Sequence, residues 1–268
     1  LSAAIRRFRD RGAEVIVMTG GMSVDPDDLT PTAIRDSGAE VVTQGLPAQP
    51  GNMFTLAYLG EIVLMGVPGA AIHRETTIFD VILPQVFAGE PFTRAELLGQ
   101  IMRNYNQSVA VAGTHGKTTT TSMLTEILME ARKDPTISVG GMLDAIGGNI
   151  RVGGPEMFVT EACEYTNSFL SFFPTMEIIL NIEADHLDFF KDIDDIRNSF
   201  RRFAGLLPED GILIINSDIR EYEEICKGLP CRVITVGSNP VRSRYSAAHV
   251  AFDESACASY ELLENGKK

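Results

Sequence analysis

Residues 113–121 read Gly-Thr-His-Gly-Lys-Thr-Thr-Thr-Thr and follow the apolar run Ser108-Val109-Ala110-Val111-Ala112. A glycine-rich turn between a buried strand and a helix suits the holding of phosphate oxygens. Gly113 and Gly116 let the backbone turn tightly and direct its N–H groups at an anion. Lys117 has the reach for the β- and γ-phosphates of a nucleoside triphosphate, and the Thr118 hydroxyl can sit on Mg²⁺. The following helix, over residues 118–131, presents its positive end to the same anion. Gly113, Thr114, His115, Gly116, Lys117, Thr118 and Thr119 form the expected phosphate-binding set. The longer form of this pattern would place its first glycine at Val111, so this is the shorter G-T-x-G-K-T version. An ordinary Gly/Lys/Thr turn is the plain alternative, and the strand–loop–helix setting argues against it.

Two further residues stand at strand ends. Glu161 follows a strand at 157–160, and His186 follows one at 176–182 within Glu183-Ala184-Asp185-His186-Leu187-Asp188. In an open parallel sheet, ligands bind beyond the carboxyl ends of the strands. Lys117 with Thr118, Glu161 and His186 can therefore meet around one metal-bound phosphate, and Thr118, Glu161 and His186 are the candidate ligands for Mg²⁺ or Mn²⁺. Singly, each has a plainer reading: a solvated carboxylate, a structural histidine, an acidic turn.

The elements that must position these residues alternate. Buried strands are expected at 13–18, 62–67, 108–112, 157–160, 176–182, 211–215 and 232–236, with helical stretches between them. Ile193, Ile196, Phe200, Phe203, Ala204 and Leu207 repeat at helical spacing after Asp192, a plausible N-cap. Such alternation implies an α/β protein with mostly parallel sheets covered on both faces, arranged as two three-layer units. Residues 88–91 form a turn and 92–103 a connecting helix. Near the end, 249–252 and 258–263 read as an antiparallel pair.

The 268 residues carry a net charge of −13, and both halves are acidic: 7 basic against 12 acidic side chains in 1–99, 16 against 24 in 100–268. This argues against a nucleic-acid partner. No apolar run is long enough to span a membrane, and no signal peptide is visible. Cys163, Cys226, Cys231 and Cys257 form no C-x-x-C pair and fit neither a zinc site nor a disulfide framework, so reduced thiols in the cytoplasm are expected. The chain opens at Leu1 without methionine, as a piece of a longer protein would.

Residues 97–268 resemble the central ATPase domain of the Mur ligases, and most closely their alanine-adding member. The resemblance rests on Gly113-Thr-His-Gly-Lys-Thr-Thr-Thr-Thr121, Gly147-Gly-Asn149, Glu161-Ala-Cys-Glu-Tyr165 with Ser168-Phe-Leu170, and Asn181-Ile-Glu-Ala-Asp-His-Leu-Asp188. It implies a P-loop-type α/β fold and an ADP-forming acid–amino-acid ligase of peptidoglycan precursor synthesis, with ATP and Mg²⁺ as cofactors and UDP-N-acetylmuramate and L-alanine as partners. By the same resemblance, Lys117 binds the transferring phosphate, Thr118 holds the first Mg²⁺, and Glu161 and His186 ligate Mg²⁺. Asn149 lies near the phosphates, and Asn216 approaches the adenine. A folylpolyglutamate-type ligase is the related alternative, and the Glu-Ala-Asp-His string argues against it.

The first half carries other signals. Thr19-Gly-Gly-Met-Ser-Val-Asp-Pro-Asp-Asp28, Gln49-Pro-Gly-Asn52 and Gly66-Val-Pro-Gly69 read either as ordinary turns or as an anion-accepting nest with companion loops. Residues 1–91 resemble the later part of a molybdopterin-binding domain, which implies a pterin-phosphate pocket. The expected organisation is a partial molybdopterin-binding-like domain at 1–91, a connector at 92–107 and a Mur ligase central domain at 108–268. A cofactor-binding module with a vestigial ATPase-like half is the competing functional reading. By the resemblance, the ligase's UDP-binding and amino-acid-receiving domains lie outside this chain, which alone is expected not to complete ligation.

Overall fold

The computed structural model describes residues 1–268 except 23–28, 47–52, 69–77 and 90. The chain divides into two compact units, Leu1–Asn104 with Ile150–Val152, and Tyr105–Asn149 with Gly153–Lys268.

Among its described residues the first unit contains four strands, β1 (Val15–Thr19), β2 (Glu40–Gln44), β3 (Thr55–Leu59) and β4 (Ile62–Val67), in the order β1-β4-β3-β2. β1 runs parallel to β4, in register from Val15 opposite Val63 to Thr19 opposite Val67. β3 runs antiparallel to both β4 and β2. A tight turn joins β3 to β4, with Gly60 at φ 62°, a conformation glycine adopts without a Cβ penalty. Helices α1 (Ser2–Arg9) and α2 (Thr30–Asp36) supply Ile5 and Ile34 to a core that also holds Ile16, Ala57 and Leu64. α3 (Ile78–Phe87) and α4 (Arg94–Met102) follow. The stretch read as a connector is thus a capped helix: Thr93 Oγ1 accepts from Glu96 N–H at 3.2 Å, and Glu96 accepts from Thr93 N–H at 2.6 Å. Leu97, Leu98, Ile101 and Met102 of α4 are buried. Gly20 and Gly21 both have positive φ, and the Thr30 hydroxyl closes this turn on the Gly20 carbonyl at 2.9 Å. The rest of the anion-nest reading (residues 23–28), the loop at 49–52 and Gly69 lie outside the described residues.

The larger sheet has nine strands. They are β5 (Gln107–Ala112), β6 (Thr136–Leu143), β7 (Gly148–Arg151), β8 (Met157–Ala162), β9 (Met176–Ile179), β10 (Ile212–Asn216), β11 (Arg232–Val236), β12 (Tyr245–Phe252) and β13 (Ala258–Glu264). Their order is β13-β12-β11-β10-β9-β5-β8-β6-β7. The ladders from β6 through β8, β5, β9, β10 and β11 to β12 are parallel, and β12 and β13 form the antiparallel pair expected at the end of the chain.

α5 (Lys117–Glu130) links β5 to β6, and α6 (Ile193–Ala204) links β9 to β10. These crossovers move in opposite directions from the middle of the sheet, so right-handed connection puts the two helices on opposite faces. α5 contributes Leu124 and Leu128 to a core with Val109, Ile137, Val139 and Val159. α6 buries Ile196, Phe200, Phe203 and Ala204, and Phe169 stacks on Phe203 with ring centroids 4.4 Å apart. Its start is fixed as the sequence indicates: the Asp192 carboxylate accepts from the N–H groups of Asp194 and Asp195. A short helix, α7 (Tyr222–Cys226), precedes β11.

Candidate functional site

β5 is buried along Ser108–Ala112, because both of its faces are covered and its side chains are small or β-branched. Its end delivers the loop 113–116. Gly113 has φ 145°, and a Cβ there would stand 2.9 Å from Leu180 Cβ and 3.2 Å from Asn181 N. Only glycine allows this approach of β5's end to β9's end. Gly116, at φ 84°, is the N-cap of α5, and no side chain caps the helix. The first-turn amides therefore form an anion-accepting end.

Asn181 pins the loop from the side. Its Oδ1 accepts from His115 N–H at 2.8 Å and its Nδ2 donates to the His115 carbonyl at 2.9 Å. The Asn181 carbonyl takes the Thr114 N–H at 3.2 Å, and Thr114 Oγ1 accepts from Glu183 N–H at 2.9 Å. Two loop amides expected to face an anion are thus spent on β9's extension, which leaves the α5 end to do that work.

Lys117 folds back over the loop. Its Nζ donates to the Gly113 carbonyl at 2.6 Å, the Thr114 carbonyl at 3.3 Å and Glu164 Oε2 at 2.9 Å. Thr118 Oγ1 donates to Glu161 Oε2 at 3.1 Å, and Glu161 Oε1 accepts from Gly140 N–H at 2.7 Å. The ends of β5 and β8 meet the interior of β6 here. His186 arrives from beyond β9 in a left-handed conformation, φ 51°, costly for a non-glycine residue and typical of functional loops. Its Nε2 lies 4.0 Å from Glu164 Oε1. The Tyr165 ring lies 4.6 Å from the imidazole, and the Tyr165 hydroxyl donates to Asp188 at 2.7 Å, a bond that raises its pKa.

The structure thus links Lys117 to His186 through Glu164, and Thr118 to Glu161, with no hydrogen bond or ion pair between His186 and either Thr118 or Glu161. Thr119 is exposed on the first turn of α5, and His115 is exposed with Nε2 3.8 Å from Glu183. Asn149 is exposed on β7, and no side-chain hydrogen bond ties it to the loop. Asn216, at the end of β10, donates to the Leu180 carbonyl at 3.0 Å and accepts from Asp218 N–H at 2.9 Å. It lines a cavity of about 520 Å³ with Leu180, Asp218, Ser238 and Tyr245.

Glu164, Asn181 and Gly140 are the residues that sequence reasoning left without a role. Glu164 sits among matching motif residues, but its contact with Lys117 spans 47 positions and no spacing signals it. The oxygen pair of Thr118 and Glu161 suits a hard cation such as Mg²⁺. No group of three His, Cys, Asp or Glu is close enough to hold a metal alone among the described residues. Any such ion would draw on Thr118 and on phosphate oxygens, as Mg²⁺ commonly does.

Comparison with known proteins gives two family matches: the Mur ligase middle domain over residues 111–266, and a probable molybdopterin binding domain over residues 1–88. The UDP-N-acetylmuramate–L-alanine ligase of Lachnospira eligens is 52% identical over 262 residues, covering 96% of this chain and 54% of the relative. That of Agathobacter rectalis is 57% identical over 198 residues, covering 74% of this chain and 42% of the relative. The chain spans about half the length of these curated relatives. Among solved structures, the UDP-N-acetylmuramate:L-alanyl-gamma-D-glutamyl-meso-diaminopimelate ligase from Neisseria meningitides superposes with a TM-score of 0.58 at 25% identity, over 72% of this chain and 63% of that one. No helix among the described residues is long and apolar enough to cross a membrane.

Proposed function

This chain belongs to the Mur ligase middle-domain family, matched over residues 111–266, and on that premise we propose that it carries the nucleotide site of an ATP-dependent, ADP-forming ligase. The substrates are UDP-N-acetylmuramate and L-alanine, as named for the relatives from Lachnospira eligens and Agathobacter rectalis. The observation that carries this reading is the loop at 113–116 ending in Lys117, whose ammonium lies over an uncapped helix end beside Thr118 and Glu161.

In the proposed reaction the muramoyl carboxylate attacks the γ-phosphorus of ATP, ADP leaves, and an acyl phosphate forms. The amine of L-alanine then attacks the acyl carbon and expels phosphate. The chain's own share is electrostatic. Lys117 and the first amides of α5 take the charge that develops on the transferred phosphoryl oxygens, in a site whose donors are already oriented. Thr118 and Glu161 would hold Mg²⁺, with His186 linked to Lys117 through Glu164, and the ion would supply charge neutralisation on the β- and γ-phosphates. Gly140 N–H fixes the Glu161 carboxylate, and Asn181 keeps the loop closed. The cavity beside Asn216 is the proposed seat of the adenine. ATP consumption fits the cytoplasm as its workplace.

Titration of ADP and of Mg²⁺–ATP into the purified chain tests this. The expected result is saturable binding that a folded Lys117→Ala variant weakens by about 1.5–3 kcal/mol, the value of a charge-assisted phosphate contact. Absent binding, or equal binding by the variant, would refute the assignment.

A further inference from the structure

We infer that Glu164 is a built-in competitor of the nucleotide: its carboxylate occupies Lys117 when no phosphate is present and must be exchanged for a phosphate oxygen when the nucleotide binds. This rests on the nucleotide site proposed above.

The lysine is fully subscribed. An ammonium has three N–H donors, and Lys117 Nζ has three acceptors: the Gly113 carbonyl, the Thr114 carbonyl and Glu164 Oε2. A phosphate oxygen can be bonded only by displacing one of them. The two carbonyls cannot readily leave. Thr114 is bonded to β9's extension through both its N–H and its hydroxyl, and Gly113 is wedged against Leu180 and Asn181. The carboxylate is the remaining partner, and it is the one that another anion replaces like for like.

Glu164 has little else to hold it in this pose. It is 2% exposed, and its Oε1 has no hydrogen-bond partner. A carboxylate that served as a structural anchor would have both oxygens satisfied. Here the single strong contact is the lysine, and the His186 imidazole Nε2 lies 4.0 Å from the free oxygen. Displacement therefore leaves the carboxylate beside the imidazole.

The sign of the effect follows. Neutralising an anion that competes for the phosphate-binding lysine strengthens anion binding. Glu164→Gln should bind ADP, measured without Mg²⁺ by calorimetry, at least roughly tenfold more tightly than the wild type, the scale expected for one close charge pair. In a Lys117→Ala background the same substitution should give only a small part of that gain. Equal or weaker ADP binding by folded Glu164→Gln would overturn the inference, as would a gain that persists undiminished without Lys117. A crystal structure of the wild-type chain with ADP gives a second reading that needs no variant to fold. The Lys117–Glu164 separation, 2.9 Å here, should open beyond hydrogen-bond reach, roughly 3.5 Å. An intact pair with the phosphate merely added would overturn it. If the wild type binds no ADP at all, the proposed function fails and takes this inference with it. Wild-type binding with no effect at Glu164 removes this inference alone.

Discussion

Glu164 stands beyond the carboxyl end of β8, enclosed by protein, with a lysine ammonium 2.9 Å from one oxygen. Glu177 stands in the middle of β9, fully enclosed, with no hydrogen-bond partner for either oxygen. The two carboxylates belong to adjacent parts of one sheet and have opposite energetics. Glu164 is paired with the Lys117 ammonium and faces the site. Glu177, opposite Ala110 and Leu213 in the neighbouring strands, is held well above the usual carboxylate range by burial. Burial at a strand end can serve chemistry, because loops there bring a countercharge. Burial at mid-strand, where backbone groups are already paired, leaves a side chain nothing to bond.

The largest effect should come from breaking the paired member. Lys117→Ala leaves Glu164 buried and unpaired, which typically costs about 3–5 kcal/mol. Adding Glu164→Gln should return most of that loss. Thermal and denaturant unfolding of the two variants check this, and a double variant no more stable than Lys117→Ala would mean that the pair is not what stabilises this corner.

For the unpaired member the sign reverses. Glu177 has a folded-state pKa raised above its ordinary value of 4.5. The folded chain thus keeps a proton that the unfolded chain has lost, and stability falls as pH rises from about 4.5 toward the folded pKa. Glu177→Met removes both the orphaned oxygens and this dependence. It should gain about 1–3 kcal/mol at neutral pH and flatten the pH–stability curve above 4.5. A loss of stability, or an unchanged slope, would show that the carboxyl has a partner in solution.

This contrast also marks what could be read from residue order. The phosphate loop, α5, the strands ending near Glu161 and His186, and the Asp192 cap were legible because each is a local signal: a motif, a periodicity, a capping residue. β6 was not, because Gly140-Gly141 interrupts its apolar run at the point where the backbone must approach Glu161 and Thr118. β2 and β7 are short and only partly apolar, which leaves little periodicity to read. β3 is also short, five residues, and pairs with β4 across a two-residue turn. The roles of Glu164 and Asn181 were hidden by separation along the chain, since each acts on a residue 47 or 66 positions away. Glu177 sits in an apolar stretch and reads as a strand residue like any other. Its isolation is a property of the folded sheet.

The smallest expected effect concerns a third carboxylate, Glu161, which is fixed by a backbone N–H instead of by a cation. Gly140 donates to its Oε1 at 2.7 Å, and a Cβ at Gly140 would stand 2.8 Å from its Oε2. Gly140→Ala keeps the N–H donor, and Gly140 is not among the positive-φ glycines. The strand can therefore accept alanine. What must yield is the end of the Glu161 side chain, by a few tenths of an ångström, away from Thr118. Fold stability should change by less than about 1 kcal/mol, because a small shift of a flexible carboxylate is cheap. Nucleotide affinity without Mg²⁺ should also hold, since Lys117 and the loop are untouched. The strengthening of that affinity by Mg²⁺ should fall several-fold, about 1 kcal/mol, because a hard cation needs its oxygens at fixed distances. Titrations of ADP with and without Mg²⁺ separate these two quantities. A variant that loses both equally would show that Gly140 supports the whole loop, whereas one that loses neither would remove Glu161 from the metal site.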